Sequence, residues 1–229
     1  MNWMWNDFFQ TGRDYSDATE VGRYDKTYAD FRDVEAEGRE ALRLLDLPQD
    51  ATLLDVGCGT GTPVTVATRY YREVIGADVS EAMLATAREK AYRLGLGNIR
   101  FKHRGFLTYE HDGAPLDAVV TTYALHHLPD YWQAVALRRI HAMLKSGGRL
   151  YLRDMVIQDC RELFEPVQAF IDEQVRTGGN FLREDAEGHF LEEFSTFDWV
   201  IEGMLTRAGF KILEHRVESH VISIYLCKK

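Results

Sequence analysis

The chain has only three cysteines in 229 residues, Cys58, Cys160 and Cys227, and they lie far apart. They offer no metal-ligand spacing and no disulfide framework, so free thiols in a reducing cytoplasm are the simplest reading. No apolar run is long enough to span a bilayer, and Asp7 and other polar residues stand where a secretory signal would need an apolar stretch. A cytoplasmic protein with no membrane partner is therefore expected. Basic residues are also in deficit, 27 Lys and Arg against 36 Asp and Glu, giving a net charge of −9. Attraction to a nucleic acid is not expected at that balance. Internal repeats and low-complexity tracts are lacking as well. What remains is a length suited to one decorated α/β domain and a hydrophobic content of 45%, ample for a core.

The most informative segment is Leu53-Leu54-Asp55-Val56-Gly57-Cys58-Gly59-Thr60-Gly61-Thr62-Pro63. An apolar strand enters a glycine-rich turn, and Pro63 suits the first turn of a helix. A second apolar strand, Val74-Ile75-Gly76-Ala77, then ends at Asp78. Strand, glycine turn, helix and acid-terminated strand make a nucleoside-binding unit, the final carboxylate accepting from ribose hydroxyls. A dinucleotide site wants G-x-G-x-x-G, but Thr62 occupies the third position. The glycines read G-x-G-x-G, preceded by Asp55. A carboxylate there repels a pyrophosphate and suits a cationic amino-acid moiety.

Strand and helix signals alternate for five rounds. Helices are expected over 35–47, with Ala41, Leu44 and Leu45 on one face, and after Pro63, with Val66 and Tyr70 sharing a face. A third, capped by Ser80, runs to Leu94 with Met83, Ala87, Ala91 and Leu94 in register. A fourth is capped by Asp130 and buries Leu137, Ile140 and Leu144. Strands are expected near 51–56, 73–78, 98–104, 116–122 and 149–155, the last entered through a turn at Lys145-Ser146-Gly147-Gly148. This alternation predicts a doubly wound, mostly parallel sheet. Residues 157–195 break the pattern, with one helix over 161–176 ended by Thr177-Gly178-Gly179-Asn180. A capping box of Ser195 and Asp198 should start a helix to Ala208. Two strands, 210–217 and 221–227, follow around Glu218-Ser219-His220 as an antiparallel pair.

Asp55 to Gly61, Asp78, Tyr123-Ala124-Leu125-His126-His127-Leu128 and Lys145-Ser146-Gly147-Gly148 resemble motifs of the class I S-adenosylmethionine-dependent methyltransferases, with Ser146 where proline is usual. The resemblance covers about 40–229 and, more loosely, the N-terminal arm. It implies an α/β, Rossmann-like sheet of seven strands, helices on both faces and a reversed last strand beside strand five. It also implies S-adenosyl-L-methionine as cofactor. Gly57, Gly59, Gly61 and the backbone of Cys58 would shape its turn. Asp55 would stabilise the amino-acid end and Asp78 bind the ribose. Val79 and Met83 would flank the adenine, with Thr121 near the methionine arm and Tyr123 near the methyl group. Asp78→Ala should then weaken cofactor binding and leave the apo protein's stability nearly unchanged. The family usually carries an acid after strand three for the adenine amino group, and Gly105 stands in that place. Either the backbone of Gly105 and Phe106 reads the base, with Phe106 stacking on it, or the site is altered.

Methyl transfer rests mainly on positioning, with a base only where the acceptor must lose a proton. His126 and His127 are the candidate bases, against a purely structural use of the pair, and Tyr24 is a weaker one. The Asn/Asp-Pro-Pro-aromatic run of nucleobase amine methylation is absent after strand four, as are clustered acids for metal-dependent catechol chemistry, so no metal is expected. A small organic acceptor, aromatic or apolar, is the leading reading. A non-catalytic cofactor-binding module and a nicotinamide-dependent oxidoreductase remain alternatives, and a homodimer remains open. Residues 1–34, with Trp3, Trp5, Phe8, Phe9, Tyr15, Tyr24, Tyr28 and Phe31, read as an aromatic arm that either packs on the domain or covers the site as a lid. Residues 35–229 read as one domain, with 157–195 as a substrate-cap insertion or an outer packing helix.

Overall fold

The computed structural model describes residues 3–9, 12, 15–29, 32–219 and 221–229, without the side chains of residues 20, 23 and 26–29. Phe31, the side chain of Tyr28 and His220 lie outside the described residues. Seven strands form one path. In chain order they are β1 (Thr52–Val56), β2 (Glu73–Asp78), β3 (Ile99–His103), β4 (Leu116–Thr122), β5 (Leu144–Ile157), β7 (Lys211–Ser219) and β8 (Ile222–Lys228). Their spatial order is β3-β2-β1-β4-β5-β8-β7, and the two-residue β6 (Thr196–Phe197) pairs with β5 off that path. The first five strands are mutually parallel, whereas β8 runs antiparallel to both β5 and β7.

The helices are α1 (Ala18–Ala29), α2 (Val34–Leu45), α3 (Thr62–Ala67), α4 (Glu81–Arg93), α5 (Asp130–Met143), α6 (Glu165–Glu192) and α7 (Asp198–Ala208). β1 is buried at every position, as a strand covered on both faces must be. Its alternation feeds two cores. Leu54 and Val56 pack with Leu137 and Ile140 of α5 and Leu205 of α7. Leu53 packs with Leu42 of α2 and Val66 of α3 on the other face. Strand order reverses between β2-β1 and β4-β5, so a crevice opens at the C-terminal ends of β1 and β4.

Several local expectations change. α2 buries Leu42, while Leu44 is only partly covered. α3 stops at Ala67, which leaves Tyr70 49% exposed rather than on a shared face with Val66. Leu94 lies past the end of α4 and is also exposed. Ser80 does cap α4, accepting from the Met83 amide at 3.1 Å. The turn at 145–148 is absorbed as a bulge, because pairing jumps from Leu116 with Leu144 to Ala118 with Arg149. Asp130 lies in the first turn of α5, and Pro129 is its N-cap. The break at Gly178-Gly179 is a kink, and helix resumes to Glu192. The capping box does not form, because α7 starts from β6 and the Ser195 hydroxyl is bonded to His189.

Candidate active site

The turn after β1 is held from β2. The amides of Gly57 and Cys58 both donate to the Ala77 carbonyl, at 2.8 and 3.1 Å. Asp78 accepts from the Gly59 amide at 2.8 Å and from the Ser80 amide at 2.8 Å. The three glycines have left-handed φ values of +78°, +54° and +76°, a region that penalises side chains. Their surroundings differ. A Cβ on Gly57 would lie 2.3 Å from the Ala124 Cβ, and one on Gly61 would lie 2.8 Å from the Ala87 Cβ. A Cβ on Gly59 would meet nothing within 4 Å. Gly57 and Gly61 therefore permit close packing of the protein, whereas Gly59 faces open space. The Cys58 thiol is buried, and burial together with the Asp78 charge pushes its pKa well up, so it is not a ready nucleophile.

Asp55 is buried at the floor of this turn, and its Oδ1 has no partner. Burial, reinforced by the Asp78 charge, pushes its carboxyl up to about 8. An orphaned buried carboxylate is costly unless a cation or donor arrives.

The crevice is a cavity of about 870 Å³. Asp55, Gly57, Cys58, Gly59, Asp78, Val79, Met83, Gly105, Phe106, Tyr123, His127 and Tyr24 all line it. Gly61, Thr121 and His126 do not. The alternation of β4 turns Val120 and Thr122 toward the cavity and sends the fully buried Thr121 the other way, which corrects the expected contact.

His126 and His127 separate in the same manner. His126 Nδ1 bonds Asp154, and Nε2 lies 3.1 Å from Glu193. Asp154 is fixed in turn by the amides of Leu125 and His126, at 3.0 and 3.2 Å. Glu193 also bonds His189, whose other nitrogen lies 2.5 Å from Ser195 Oγ. Burial opposes the charge on His126, but Asp154 and Glu193 outweigh it and push its pKa up to about 10. With both nitrogens committed to carboxylates, this imidazolium has no lone pair for an acceptor's proton. His127 is the opposite case, since burial and the neighbouring His126 charge lower it to about 4, leaving a neutral ring on the cavity wall. His126, His127 and Glu193 also bring ligand atoms within 4.8 Å of one another, but a metal there would have to displace the protons that Asp154 and Glu193 hold on His126. The sequence did not show this cluster, because Glu193 joins the histidines only through the fold.

The arm packs over this face. Trp3 stacks on Trp132, while Trp5 meets Phe194 and Phe8 meets His103 edge-on. Ser80 Oγ donates to the Tyr15 carbonyl at 2.5 Å, and Asp25 holds Thr60 at 2.5 Å and Lys90 at 2.6 Å. Among the residues that sequence reasoning missed, Asp7, Arg32, Glu37, Tyr151 and Arg153 line the cavity. Tyr123, at φ +51°, has the Arg32 guanidinium 4.3 Å and the Arg153 guanidinium 5.2 Å from its ring centroid. Burial pushes its phenol up to about 12 even against these cations. Glu37 pairs with both arginines, at 2.6 Å to Arg32 and 3.0 Å to Arg153. A residue at positive φ beside two cations is a local signal that no linear motif carried.

Gly105 also has an explanation. A Cβ there would lie 2.4 Å from Asp7 Oδ2 and 2.5 Å from Val79 Cγ1, so the arm's carboxylate occupies the room a side chain would need.

Residues 53–148 match the family model described as a methyltransferase domain. An uncharacterized methyltransferase of Anoxybacillus flavithermus is 30% identical over 160 residues, covering 70% of this chain and 69% of its own length. The chain belongs to the methyltransferase family. A demethylmenaquinone methyltransferase of Bacillus cytotoxicus is 25% identical to it over 191 residues, covering 82% of this chain and 76% of that protein. The methyltransferase also shares its fold with the magnesium protoporphyrin IX methyltransferase of Synechocystis PCC 6803, solved with bound S-adenosylmethionine. The TM-score is 0.66 at 19% identity, over 100% of both chains. The methyltransferase is thus of class I, with S-adenosylmethionine as its cofactor. The residues present fit that cofactor, because the orphaned Asp55 oxygen suits an ammonium and Gly59 opens onto unfilled space.

Proposed function

We propose that this methyltransferase moves the methyl group of S-adenosylmethionine to a small organic acceptor by in-line displacement. The observation that carries the reading is the cavity of about 870 Å³, which runs from the glycine turn to Tyr123 and His127 beneath the arm. Its size falls within the roughly 300–1,000 Å³ of small-molecule sites, and Asp7, Phe9, Tyr15 and Tyr24 of the arm form part of its wall. The acceptor belongs to the coarse class that demethylmenaquinone, in the name of one relative, exemplifies.

When bound, S-adenosylmethionine supplies a methyl group already activated by its sulfonium. Asp55 holds the ammonium, Asp78 accepts from the ribose hydroxyls, and the Gly59 backbone allows close approach. Tyr123 and Ala124 border the acceptor's approach. Asp7, Phe9, Tyr15, Tyr24 and Asp25 of the arm line the site and help to exclude water, whereas α6 packs outside it, Phe170 and Ala186 against Met155 and Val221. His127 faces the cavity and is the candidate to take the acceptor's proton where one must leave, a weak base because burial and the His126 charge lower its pKa. Tyr24 is the second candidate. His126 and Glu193 flank His127, at 4.5 Å between the ring centroids and 3.8 Å from Oε1 to its Nδ1.

Calorimetric titration with S-adenosylhomocysteine, with NADH as control, tests the cofactor site. Incubation with S-adenosylmethionine and a panel of phenols, quinols, thiols and amines then tests the reaction, read as S-adenosylhomocysteine and methylated product by mass spectrometry. Product from one small acceptor supports the proposal. Binding without turnover across the panel, together with turnover on a protein or nucleic acid, would sink it.

A further inference from the structure

Asp7 carries a feature that the cofactor assignments above leave unused. It stands on the N-terminal arm, far in sequence from every cofactor motif, yet its side chain is more than nine-tenths buried. Its Oδ2 accepts from the Leu107 amide at 2.9 Å and the Thr108 hydroxyl at 3.3 Å. Its Oδ1 is buried and has no partner. Asp7 lines the same cavity as Val79, Met83, Gly105 and Phe106. A carboxylate oxygen without a donor in a cavity wall calls for a ligand N–H or O–H.

The backbone nearby is already committed. The Gly105 amide donates to Thr108 Oγ1 at 2.9 Å, and its carbonyl accepts from the amides of Thr108 and Tyr109 at 3.3 and 2.9 Å. The Phe106 carbonyl accepts from Arg139 at 3.2 Å. These groups are spent locally, which removes most of the backbone readout expected from the sequence. Val79 directly follows Asp78, and Val79 and Asp7 both meet the Gly105 position, so Asp78, Val79, Gly105 and Asp7 share one part of the cavity wall, where the base of a ribose held at Asp78 would lie.

We propose that Asp7 reads the base of the cofactor, its Oδ1 accepting a hydrogen bond from the exocyclic amino group of the adenine. This rests on the S-adenosylmethionine site proposed above. The recognition group is thus delivered by the arm, and the arm must be docked for the base to be read. Trp3, Trp5 and Phe8 flank Asp7 with the ring contacts that dock it.

The test compares S-adenosylhomocysteine with S-inosylhomocysteine, in which a carbonyl oxygen replaces the amino group. Calorimetry on the full chain should show the wild type preferring the adenosyl ligand by about tenfold or more, the scale of a hydrogen bond to a charged group. Asp7→Asn should then lose or reverse that preference. The Asn oxygen must face the Leu107 amide, which turns its NH₂ toward the cavity, opposed to an amino group and matched to a carbonyl. Equal wild-type affinity for both ligands overturns the proposal without any variant. So does an Asp7→Asn protein that keeps the wild-type ratio, or that weakens both ligands alike with a lowered melting temperature. A wild type that binds neither ligand overturns the underlying cofactor site instead, and the proposal with it.

Discussion

The Asp78 carboxylate and the Gly59 amide are joined by a 2.8 Å hydrogen bond, so the residue that ends β2 also fixes the turn that follows β1. Its second oxygen holds the Ser80 amide at the start of α4. Asp78 is therefore both a candidate ribose ligand and a clamp. Asp78→Ala removes two charge-assisted bonds, each worth about 1.5–3 kcal/mol. The apo melting temperature should fall by several degrees while S-adenosylhomocysteine affinity drops at least tenfold. This revises the sequence-based expectation of unchanged apo stability. Melting curves with and without ligand check it, and an unshifted apo transition would show that the clamp contributes nothing.

Alanine at Gly57 and at Gly59 should fail in different ways. At Gly57 the new Cβ would lie 2.3 Å from Ala124. That clash, added to the left-handed φ, should lower apo stability by about 2 kcal/mol or more. At Gly59 the Cβ meets open space. Only the backbone penalty of about 1 kcal/mol falls on folding, but ligand approach is blocked, so affinity should fall at least tenfold. Equal behaviour of the two variants in chemical denaturation and calorimetry would contradict this division.

Asp55 predicts a trade between stability and binding. Its carboxyl is raised to about 8 by burial and the Asp78 charge, against about 3.9 when unfolded. The native state therefore holds the proton more tightly, and stability is lost as pH rises from about 4 through 8. Asp55→Asn escapes that loss. The apo variant should melt above the wild type at pH 8.5 and close to it at pH 5, while binding S-adenosylhomocysteine more weakly at both. A melting difference that does not grow with pH would count against the buried, unpaired carboxylate.

His126 and His127 should separate structure from chemistry. His126→Ala leaves Asp154 and Glu193 buried without their shared cation, a loss of about 3–5 kcal/mol. The folded His126 pKa is raised, to about 10, so its stabilisation is complete below about 6.5 and fades as pH climbs through 10. The cost of His126→Ala should therefore be smaller at pH 10.5 than at pH 6. His127→Ala should shift the melting temperature little. It should slow turnover about a hundredfold, at the lower end of general-base contributions, on an acceptor that loses a proton. Retained turnover in His127→Ala would move the base to Tyr24 or remove the need for one.

Much of the fold was legible because its signals are local. Five rounds of alternating period, the turn from Gly57 to Gly61 and the acid at Asp78 each arise within one short segment, where backbone sterics and burial act on neighbours in the chain. Those segments determined the parallel sheet and the cofactor cradle, while the reversal at β8 followed from the short connection at Glu218-Ser219-His220 and from the family resemblance. They also ran one helix on to Tyr70, which lies past its end, and the resemblance put Thr121 on the cofactor side, from which the phase of β4 turns it away. Helix ends and the exact phase of a strand shift by a residue without altering the pattern.

Tertiary structure alone decided which polar groups meet. Asp7 reaches Leu107, Glu193 reaches His126, and Glu37 stands between Arg32 and Arg153. Such contacts are set by how separate elements dock, and a carboxylate's worth depends on whether its surroundings supply a donor. Asp55 and Asp78 look alike in sequence, as do His126 and His127. Burial and partners leave one acid orphaned and the other clamped, and one histidine charged and the other neutral.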